Sequence, residues 1–212
     1  MSITPEQLRQ AFASLPPGAA PTEGQVTEVV DDPVPPEILA RLKTGRRPAA
    51  VLMPILGVKS GRLRLLLTQR TDHLRDHAGQ ISFPGGGLKP GENPLEAALR
   101  EAEEEIGLDR AAVEIFGEMP RYHTGTGFNV SPIIAFVSDG VSFQPDPGEV
   151  AEIFDAPLDY LIDPRNFRQE TRFYRGAWRN FLAVPWSGHY IWGATAGMLA
   201  QLSRIVHGQK MA

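Results

Sequence analysis

The sequence predicts a protein of the α/β class, in which a mixed β-sheet carries helices on both faces. Its 212 residues, 42% hydrophobic and 22% charged, are typical of one globular domain with or without a small appendage. Apolar runs with the character of strands are interspersed with amphipathic helical segments. Because the two kinds of segment do not alternate strictly, the pattern favours a mixed sheet over a purely parallel one.

The chain is predicted to divide into an N-terminal part, residues 1–45, and a main domain at 46–212. Thr4 has the position of an N-cap, followed by a proline and, at the third helical position, a glutamine. This capping-box pattern predicts a short N-terminal helix. Residues 13–48 are rich in proline, glycine and acids, and they predict an extended lead-in with one short helix at about 36–43.

The main domain is predicted to begin with two strands. The apolar run at 49–56 indicates a buried strand, and the alternating run at 62–70 indicates a second one. A glycine-rich loop then leads into a helix at about 94–106. Further strands are predicted at 113–119, 132–138, 150–154, 170–175 and 180–185, and further helices at 157–162 and 194–207.

Composition excludes several classes of function. The net charge of −4 argues against a protein that binds nucleic acid or a membrane surface, but it permits a small anionic substrate if a metal ion offsets the repulsion. The absence of cysteine excludes disulfides, thiolate catalysis and cysteine zinc sites. The first residues lack the apolar core of a signal peptide, and the run at 49–58 is too short to span a bilayer. A cytoplasmic location is therefore expected.

The helix predicted at 94–106 carries four glutamates within five positions, Glu101 and Glu103–Glu105. Asn93 is predicted to cap this helix and Gly107 to end it. Like charges at such spacing destabilise a helix, and acids near its C-terminus oppose the helix dipole. Either the glutamates form a solvated face, or a cation neutralises them.

Helical geometry separates these four acids. At about 100° per residue, Glu101, Glu104 and Glu105 fall on one side of the helix and Glu103 on the opposite flank. Two of the three border the buried stripe, where unpaired carboxylates are costly. A hard cation such as Mg²⁺, which binds a few carboxylates together with phosphate oxygens, would remove that cost. The apolar stripe itself is predicted to comprise Leu95, Ala98, Leu99, Ala102 and Ile106.

Residues 86–108 resemble the Nudix box, G-x5-E-x7-R-E-U-x-E-E-x-G-U, in which U is aliphatic. Every fixed position of the pattern is met, and only Ala102 is small for an aliphatic residue. The matching residues are Gly86, Glu92, Arg100, Glu101, Ala102, Glu104, Glu105, Gly107 and Leu108.

This resemblance implies a Nudix hydrolase with an α/β/α sandwich fold. Such enzymes cleave nucleoside diphosphates linked to another moiety and use Mg²⁺ or Mn²⁺. The resemblance assigns metal binding and catalysis to Glu101 and Glu105 as principal ligands, with Glu104 as a further ligand. It also makes Glu101 a candidate for orienting the attacking water. Arg100 and Glu92 are expected to support the loop and the helix.

The segment ahead of the box, residues 66–86, resembles the signature of Nudix coenzyme A pyrophosphatases, L-L-T-x-R-x-x-x-L-x-x-H-x-G-x-x-x-F-P-G-G. The run at 191–196 is similar to the opening of that subgroup's C-terminal helix. The resemblance implies hydrolysis of coenzyme A or its acyl forms to 3′,5′-ADP and 4′-phosphopantetheine or acyl-phosphopantetheine. The matching residues are Leu66, Leu67, Thr68, Arg70, Leu74, His77, Gly79, Phe83, Pro84, Gly85 and Gly86.

Substrate binding is expected from basic residues and glycines of this segment. Arg70 and His77 would contact phosphates, the arginine through its planar fork of donors. Gly85 and Gly86 would let the backbone approach the diphosphate closely. Each has an alternative interpretation: a solvated strand end for Arg70, an ordinary loop histidine for His77, and turn geometry for the glycines.

Several points stay open on the sequence alone. Glu149 and Glu152 are equal candidates for an additional ligand or base. A Nudix hydrolase of ADP-ribose or a dinucleotide would share the box, because only the upstream signature indicates coenzyme A. A Nudix domain kept as a ligand-binding module could lose a metal glutamate, whereas this chain retains all three. The expected partner is a small nucleoside diphosphate, with no nucleic acid and no membrane. The oligomeric state is left open, a homodimer included.

Overall fold

The computed structural model describes residues 3–15, 22–23, 47–74, 77–124, 126–174 and 177–208. The short helix expected at about 36–43 lies outside these residues, and the boundary expected near residue 45 stays a prediction. The helices are α1 (Pro5–Ala13), α2 (Pro94–Ile106), α3 (Leu158–Leu161) and α4 (Ala194–Val206). The strands are β1 (Thr22–Glu23), β2 (Arg47–Leu56), β3 (Arg64–Arg70), β4 (Ile81–Ser82), β5 (Gly85–Gly87), β6 (Val113–Glu118), β7 (Tyr122–His123), β8 (Phe128–Val137), β9 (Val150–Pro157), β10 (Arg168–Tyr174), β11 (Ala177–Trp186) and β12 (His189–Trp192).

The larger sheet is mixed, as predicted. Strand β2 runs parallel to β8 and antiparallel to β3 and β5. The strands follow the order β1-β7-β8-β2-β3-β4, with β6 paired to β8 and β9 paired to β3. Because β3 runs opposite to β2 and β8, it ends where they begin. This edge, which holds Arg47, Arg70 and Phe128, is termed the site end of the sheet.

Helices cover both faces of this sheet, which makes the predicted α/β/α sandwich. Helix α2 packs on one face, where Ala102 and Leu66 belong to one apolar cluster. Helices α1 and α4 pack on the other, where Leu8, Leu67 and Leu202 belong to a second cluster. Alternation along a strand sends neighbours such as Leu66 and Leu67 to opposite faces, termed the α2 face and the α4 face. No helix in the described part of the chain is long and apolar enough to cross a membrane.

The segment 81–87 lies between β2 and β3 at the site end, and its two short strands were not predicted. Strand β4 pairs with β3, whereas β5 pairs with Ala49–Val51 of β2. The amide of Leu52 donates to the carbonyl of Pro84 at 2.8 Å. Glycine has a low preference for strands, so the sequence pattern does not indicate β5. Pairing with a neighbouring strand forms it.

A second, three-stranded antiparallel sheet consists of β10, β11 and β12. The sequence predicted the first two as shorter strands and missed β12, as it missed β1 and β7. Val184 and Ile191 of this sheet are buried in the cluster of the α4 face. The ring of His189 stacks on Phe154 of β9 with 3.7 Å between centroids. The small sheet therefore packs against β9 of the larger one.

The predicted helix caps are confirmed. The hydroxyl of Thr4 accepts from the amide of Gln7 at 3.2 Å, and the Gln7 side chain accepts from the amide of Thr4 at 2.9 Å. Asn93 and Glu96 form the same reciprocal pair at the start of α2, at 2.9 and 3.0 Å. Gly107 ends α2 in the left-handed conformation, with φ of 64°. Local hydrogen bonding thus fixes where both helices begin.

The predicted apolar stripe of α2 is wrong at Leu95, which is 37% exposed. Ala97, Ala98 and Ala102 are buried, and so is Glu105. The helix packs on the sheet by its alanines, which allow a close approach that larger side chains would prevent. The buried face is consequently rotated toward Glu105.

Candidate active site

Glu105 places a buried carboxylate at the site end of the sheet. Its side chain is 4% exposed, with Oε1 3.8 Å from Nη1 of Arg70, and its Oε2 accepts from the amide of Gly85 at 3.2 Å. Burial raises the pKa of Glu105 to about 8, the charges of Glu101 and Glu149 add to this rise, and Gly85 and Arg70 oppose it. Loss of solvent is therefore the main obstacle to ionisation of this carboxylate.

Glu101 lies one helical turn before Glu105 and faces strand β5. Its side chain is 17% exposed, and Nη1 of Arg100 donates to its Oε1 at 2.7 Å. A β-carbon at Gly86 would come within 2.5 Å of that same Oε1. The carboxylate thus lies directly against the backbone of Gly86, and only glycine leaves it room there.

Arg100 ties α2 to the loop that precedes it. Its guanidinium donates to both carboxylate oxygens of Glu92, at 2.8 and 3.0 Å, and to the carbonyl of Gly87 at 3.3 Å. The hydrogen bond from Arg100 lowers the pKa of Glu92 to about 2. These contacts agree with the supporting role expected for Arg100 and Glu92.

The other two glutamates of α2 are exposed. Glu103, 57% exposed, accepts from Nε of Arg110 at 2.8 Å, so it lies apart from the site as predicted. Glu104, 55% exposed, accepts from Arg100 at 3.2 Å and lies 3.6 Å from Nζ of Lys89. The structure thus brings Glu101 and Glu105 toward the glycine strand and leaves Glu104 at the rim.

Glu149 and Glu152, which the sequence left as equals, lie in different surroundings. Glu149 directly precedes β9, and its charge contributes to the raised pKa of Glu105. Glu152 belongs to the α4 face, as does Phe154 two residues on, and its Oε2 lies 3.2 Å from Nε2 of His189. Of the two acids, Glu149 is therefore the one whose charge acts on Glu105.

The loop that carries Glu149 is held by contacts that the sequence did not reveal. The amide of Thr71 donates to the carbonyl of Glu149 at 3.0 Å, and the amide of Asp146 donates to the last turn of α2 at 2.9 Å. Nε2 of His73 lies 3.1 Å from the carbonyl of Gly148. In the sequence, His73 shows no metal-ligand spacing that would indicate a role. A backbone partner 75 residues away leaves no local signal.

Arg70 and His77, both expected to bind substrate, are placed differently. Arg70 ends β3 beside Glu105, and its Nε is buried without a hydrogen-bond partner among the described residues. His77 is exposed, has a φ of 62°, and its Nδ1 lies 2.8 Å from Oε1 of Gln80. In the described ranges, no hydrogen bond or ion pair joins His77 to the glutamates of α2.

The donor set suits a hard divalent cation. Two carboxylates face the glycine strand, and burial, with a smaller contribution from the charges of Glu101 and Glu149, raises the pKa of Glu105. A bound cation would favour the ionised form against both effects. As the side chains stand, no three Asp, Glu, His or Cys residues in the described part of the chain surround one metal position. Glu104 would join such a site only by exchanging its contacts with Arg100 and Lys89.

A mixed sheet between helices, with acidic side chains of one helix against a glycine strand, is the arrangement expected of a hydrolase of diphosphate bonds. The profile of the NUDIX domain matches residues 45–177. The chain belongs to the Nudix hydrolase family. Nudix hydrolases cleave pyrophosphate bonds of small molecules and generally need divalent metal ions.

The chain is similar to bacterial proteins described as uncharacterized Nudix hydrolase NudL. The one from Yersinia enterocolitica is 39% identical over 166 residues, which cover 75% of this chain and 81% of that protein. The one from Photorhabdus laumondii is 37% identical over 175 residues, 82% of this chain and 91% of that protein. Among solved structures, the Nudix hydrolase RenU from M. smegmatis has a TM-score of 0.53 at 20% identity, covering 79% of this chain and 90% of that one. This likeness shows a shared fold.

Proposed function

We propose that this Nudix hydrolase cleaves the diphosphate of coenzyme A, free or acylated. The products are 3′,5′-ADP and 4′-phosphopantetheine or its acyl form. The observation that carries the proposal is the segment 66–86, which resembles the coenzyme A pyrophosphatase signature. This one segment supplies Arg70 beside Glu105 and the glycines of β5 against Glu101.

Glu101 and Glu105 would hold the metal, Mg²⁺ or Mn²⁺, with Glu104 as a further ligand. The charge of Glu149, which contributes to the raised pKa of Glu105, supports a contribution from Glu149, as ligand or base. When bound, the metal supplies charge neutralisation of the diphosphate and a more acidic water. Glu105 must release its proton to take part, since its pKa is raised to about 8.

The glycines and Arg70 would position the diphosphate. Without side chains on their inner face, Gly85 and Gly86 allow phosphate oxygens to approach the backbone. Arg70 ends β3 beside Glu105, with its side chain 24% exposed, and its planar fork would offer donors to a phosphate. His77, exposed on the same segment, would contact an outer phosphate such as the 3′-phosphate of coenzyme A. Positioning and charge neutralisation would supply most of the acceleration.

Product analysis tests this proposal. The protein is incubated at fixed Mg²⁺ with coenzyme A, acetyl-coenzyme A, dephospho-coenzyme A, ADP-ribose and a dinucleotide, and the products are identified by mass spectrometry. We expect 3′,5′-ADP from coenzyme A, because cleavage lies within the diphosphate and leaves the 3′-phosphate intact. Glu101→Gln, with its carboxylate removed, serves as the inactive control.

The ratio of kcat/KM for coenzyme A to kcat/KM for ADP-ribose decides between the two substrate classes. We expect coenzyme A to be preferred. A preference for ADP-ribose of about tenfold, equivalent to about 1.4 kcal/mol of transition-state free energy, would refute the coenzyme A proposal and leave the Nudix assignment intact.

A further inference from the structure

Asn129 lies at the site end of the sheet, on the same face as the catalytic helix. It is the second residue of β8, which begins where β3 ends. Ile133 and Ala135 of the same strand belong to the apolar cluster under α2. Since side chains alternate along a strand, Asn129 shares the α2 face with them. It is thus on the face that carries Glu101 and Glu105.

Strand register places Asn129 within reach of a molecule bound at the glycine strand. Asn129 is paired with Pro48 of β2, and Ala50, two residues along β2, is paired with Gly86. Two strand spacings across and two residues along correspond to about 12 Å between the Cα atoms of Asn129 and Gly86. Groups attached to a diphosphate at Gly86 extend over this distance.

The side-chain oxygen of Asn129 is buried and has no hydrogen-bond partner among the residues that the structure describes. Of its cross-strand neighbours, Pro48 has no donor to offer, and His123 makes no hydrogen bond to this oxygen. Buried acceptors in folded proteins are nearly always paired. The carbonyl of Tyr160, for example, accepts a hydrogen bond from the side-chain amide of Asn166 at 2.8 Å. An acceptor that has no protein partner and lies beside the proposed binding surface is available to a ligand.

We propose that Asn129 determines substrate specificity by accepting a hydrogen bond from an N–H or O–H group attached to the diphosphate. This inference rests on the proposed function insofar as it needs a diphosphate substrate bound along β5, but it does not depend on which one. Donors of this kind occur in both halves of coenzyme A: the adenosine half has an exocyclic amine and a ribose hydroxyl, and the pantetheine half has two amides and a hydroxyl. The contact would select substrates whose donor reaches the start of β8.

Asn129→Leu, which keeps the size of the side chain and removes its polar atoms, tests the proposal. Two measurements are made on wild type and variant: steady-state kinetics with coenzyme A, and the Kd of ADP with Mg²⁺ by calorimetry. We expect KM for coenzyme A to rise about tenfold with kcat within about twofold, as for loss of a uniform binding contact. Weaker ADP binding in addition would place the donor in the adenosine half, and unchanged ADP binding would place it in the pantetheine half.

Thermal melting without metal or substrate separates a binding role from a structural one. Asn129→Leu should melt at or above the wild-type temperature, because it removes a buried acceptor that has no partner. The matched control is Asn166→Leu, which breaks the hydrogen bond to Tyr160 outside the sheet and should lower the melting temperature without changing KM. Asn129→Ala repeats the test in case leucine does not fit.

Two results would overturn the proposal. One is unchanged KM for coenzyme A together with unchanged Kd for ADP in a folded variant. The other is a loss of melting temperature as large as that of Asn166→Leu in both Asn129 variants. A wild-type protein that does not hydrolyse coenzyme A would instead refute the proposed substrate, and the ADP measurement would still decide the role of Asn129 for the adenosine half.

Discussion

The carboxylate of Glu101 occupies the space that any side chain at Gly86 would need. A β-carbon at position 86 would lie 2.5 Å from Oε1 of Glu101, a separation that real contacts do not show. The glycine is therefore needed for the position of Glu101, the proposed metal ligand, rather than for a turn. Its two neighbours in β5 differ from it in this respect, which gives three alanine substitutions with separate expected results.

Gly86→Ala should reduce kcat by at least about tenfold, about 1.4 kcal/mol of transition-state free energy, because Glu101 must move. The carboxylate of Glu101 is the end of a flexible side chain, so the fold should survive.

Gly87→Ala is the matched control, because the nearest neighbour of the added β-carbon would be the carbonyl of Pro48 at 4.0 Å. Gly85→Ala would meet the backbone of Ala50 and Val51 at 2.4 and 2.6 Å and should destabilise by about 1–3 kcal/mol. Equal activity in Gly86→Ala and Gly87→Ala would contradict this account.

Glu101→Gln and Glu105→Gln should each lower turnover by several orders of magnitude with the fold intact, because each removes a proposed metal ligand. Glu103→Gln should have little effect, since Glu103 pairs with Arg110 away from the site. Initial rates and circular dichroism on the three variants make the comparison. A loss in Glu103→Gln as large as that in Glu105→Gln would show that the helical placement is wrong.

Added Mg²⁺ should raise the melting temperature of the wild type. A cation that binds only the folded state at 100 times its Kd stabilises by about 2.7 kcal/mol. The double variant Glu101→Gln with Glu105→Gln should lose this response. Without metal it should be at least as stable as the wild type, because the carboxylate repulsion is gone. A metal-free double variant that melts clearly below the metal-free wild type would argue against a repulsive cluster.

The stability of the metal-free protein should depend on pH through Glu105. Its pKa rises from the ordinary 4.5 to about 8 in the folded state, so the folded protein binds the proton more tightly than the unfolded chain. Glu105 therefore has no unfavourable effect below about pH 4.5, and its ionisation destabilises the fold progressively as the pH rises to 8. The stability of Glu105→Gln relative to wild type should grow by a few kcal/mol over that interval. Urea unfolding at a series of pH values measures it, and a constant difference would contradict the raised pKa.

Arg70→Ala should lower kcat/KM for coenzyme A by more than it lowers stability, and Arg70→Lys should restore activity only in part. An ammonium keeps the charge beside Glu105 but loses the planar fork that binds phosphate through two donors. Arg165→Ala, in an exposed ion pair with Asp163, is a control that should change neither quantity. Full rescue by lysine would mean that charge alone matters at position 70.

The sequence named the residues of the candidate site and the grouping of two of them, but it did not give their surroundings in the fold. The grouping of Glu101 and Glu105 followed from helical periodicity, which depends only on residues within two turns. The alanine face of α2 was misjudged at Leu95, because which side of a helix is buried depends on the surface it meets. The different surroundings of Glu149 and Glu152 also required the structure, since the register of β3 and β9 shifts between Gln69 and Arg70.

By itself, the sequence determined the features that local chemistry fixes. The capping boxes at Thr4 and Asn93, the left-handed Gly107, the mixed α/β class and the Nudix pattern all depend on short-range spacing or residue type. The tertiary structure decided what depends on distant partners: β5 forms because β2 offers it a neighbour, His73 holds a loop 75 residues away, and Asn129 lies at the site end because β8 is parallel to β2. Long-range pairing brings together groups that no local pattern relates. The burial of Glu105 and the raised pKa that follows from it were therefore set by the fold.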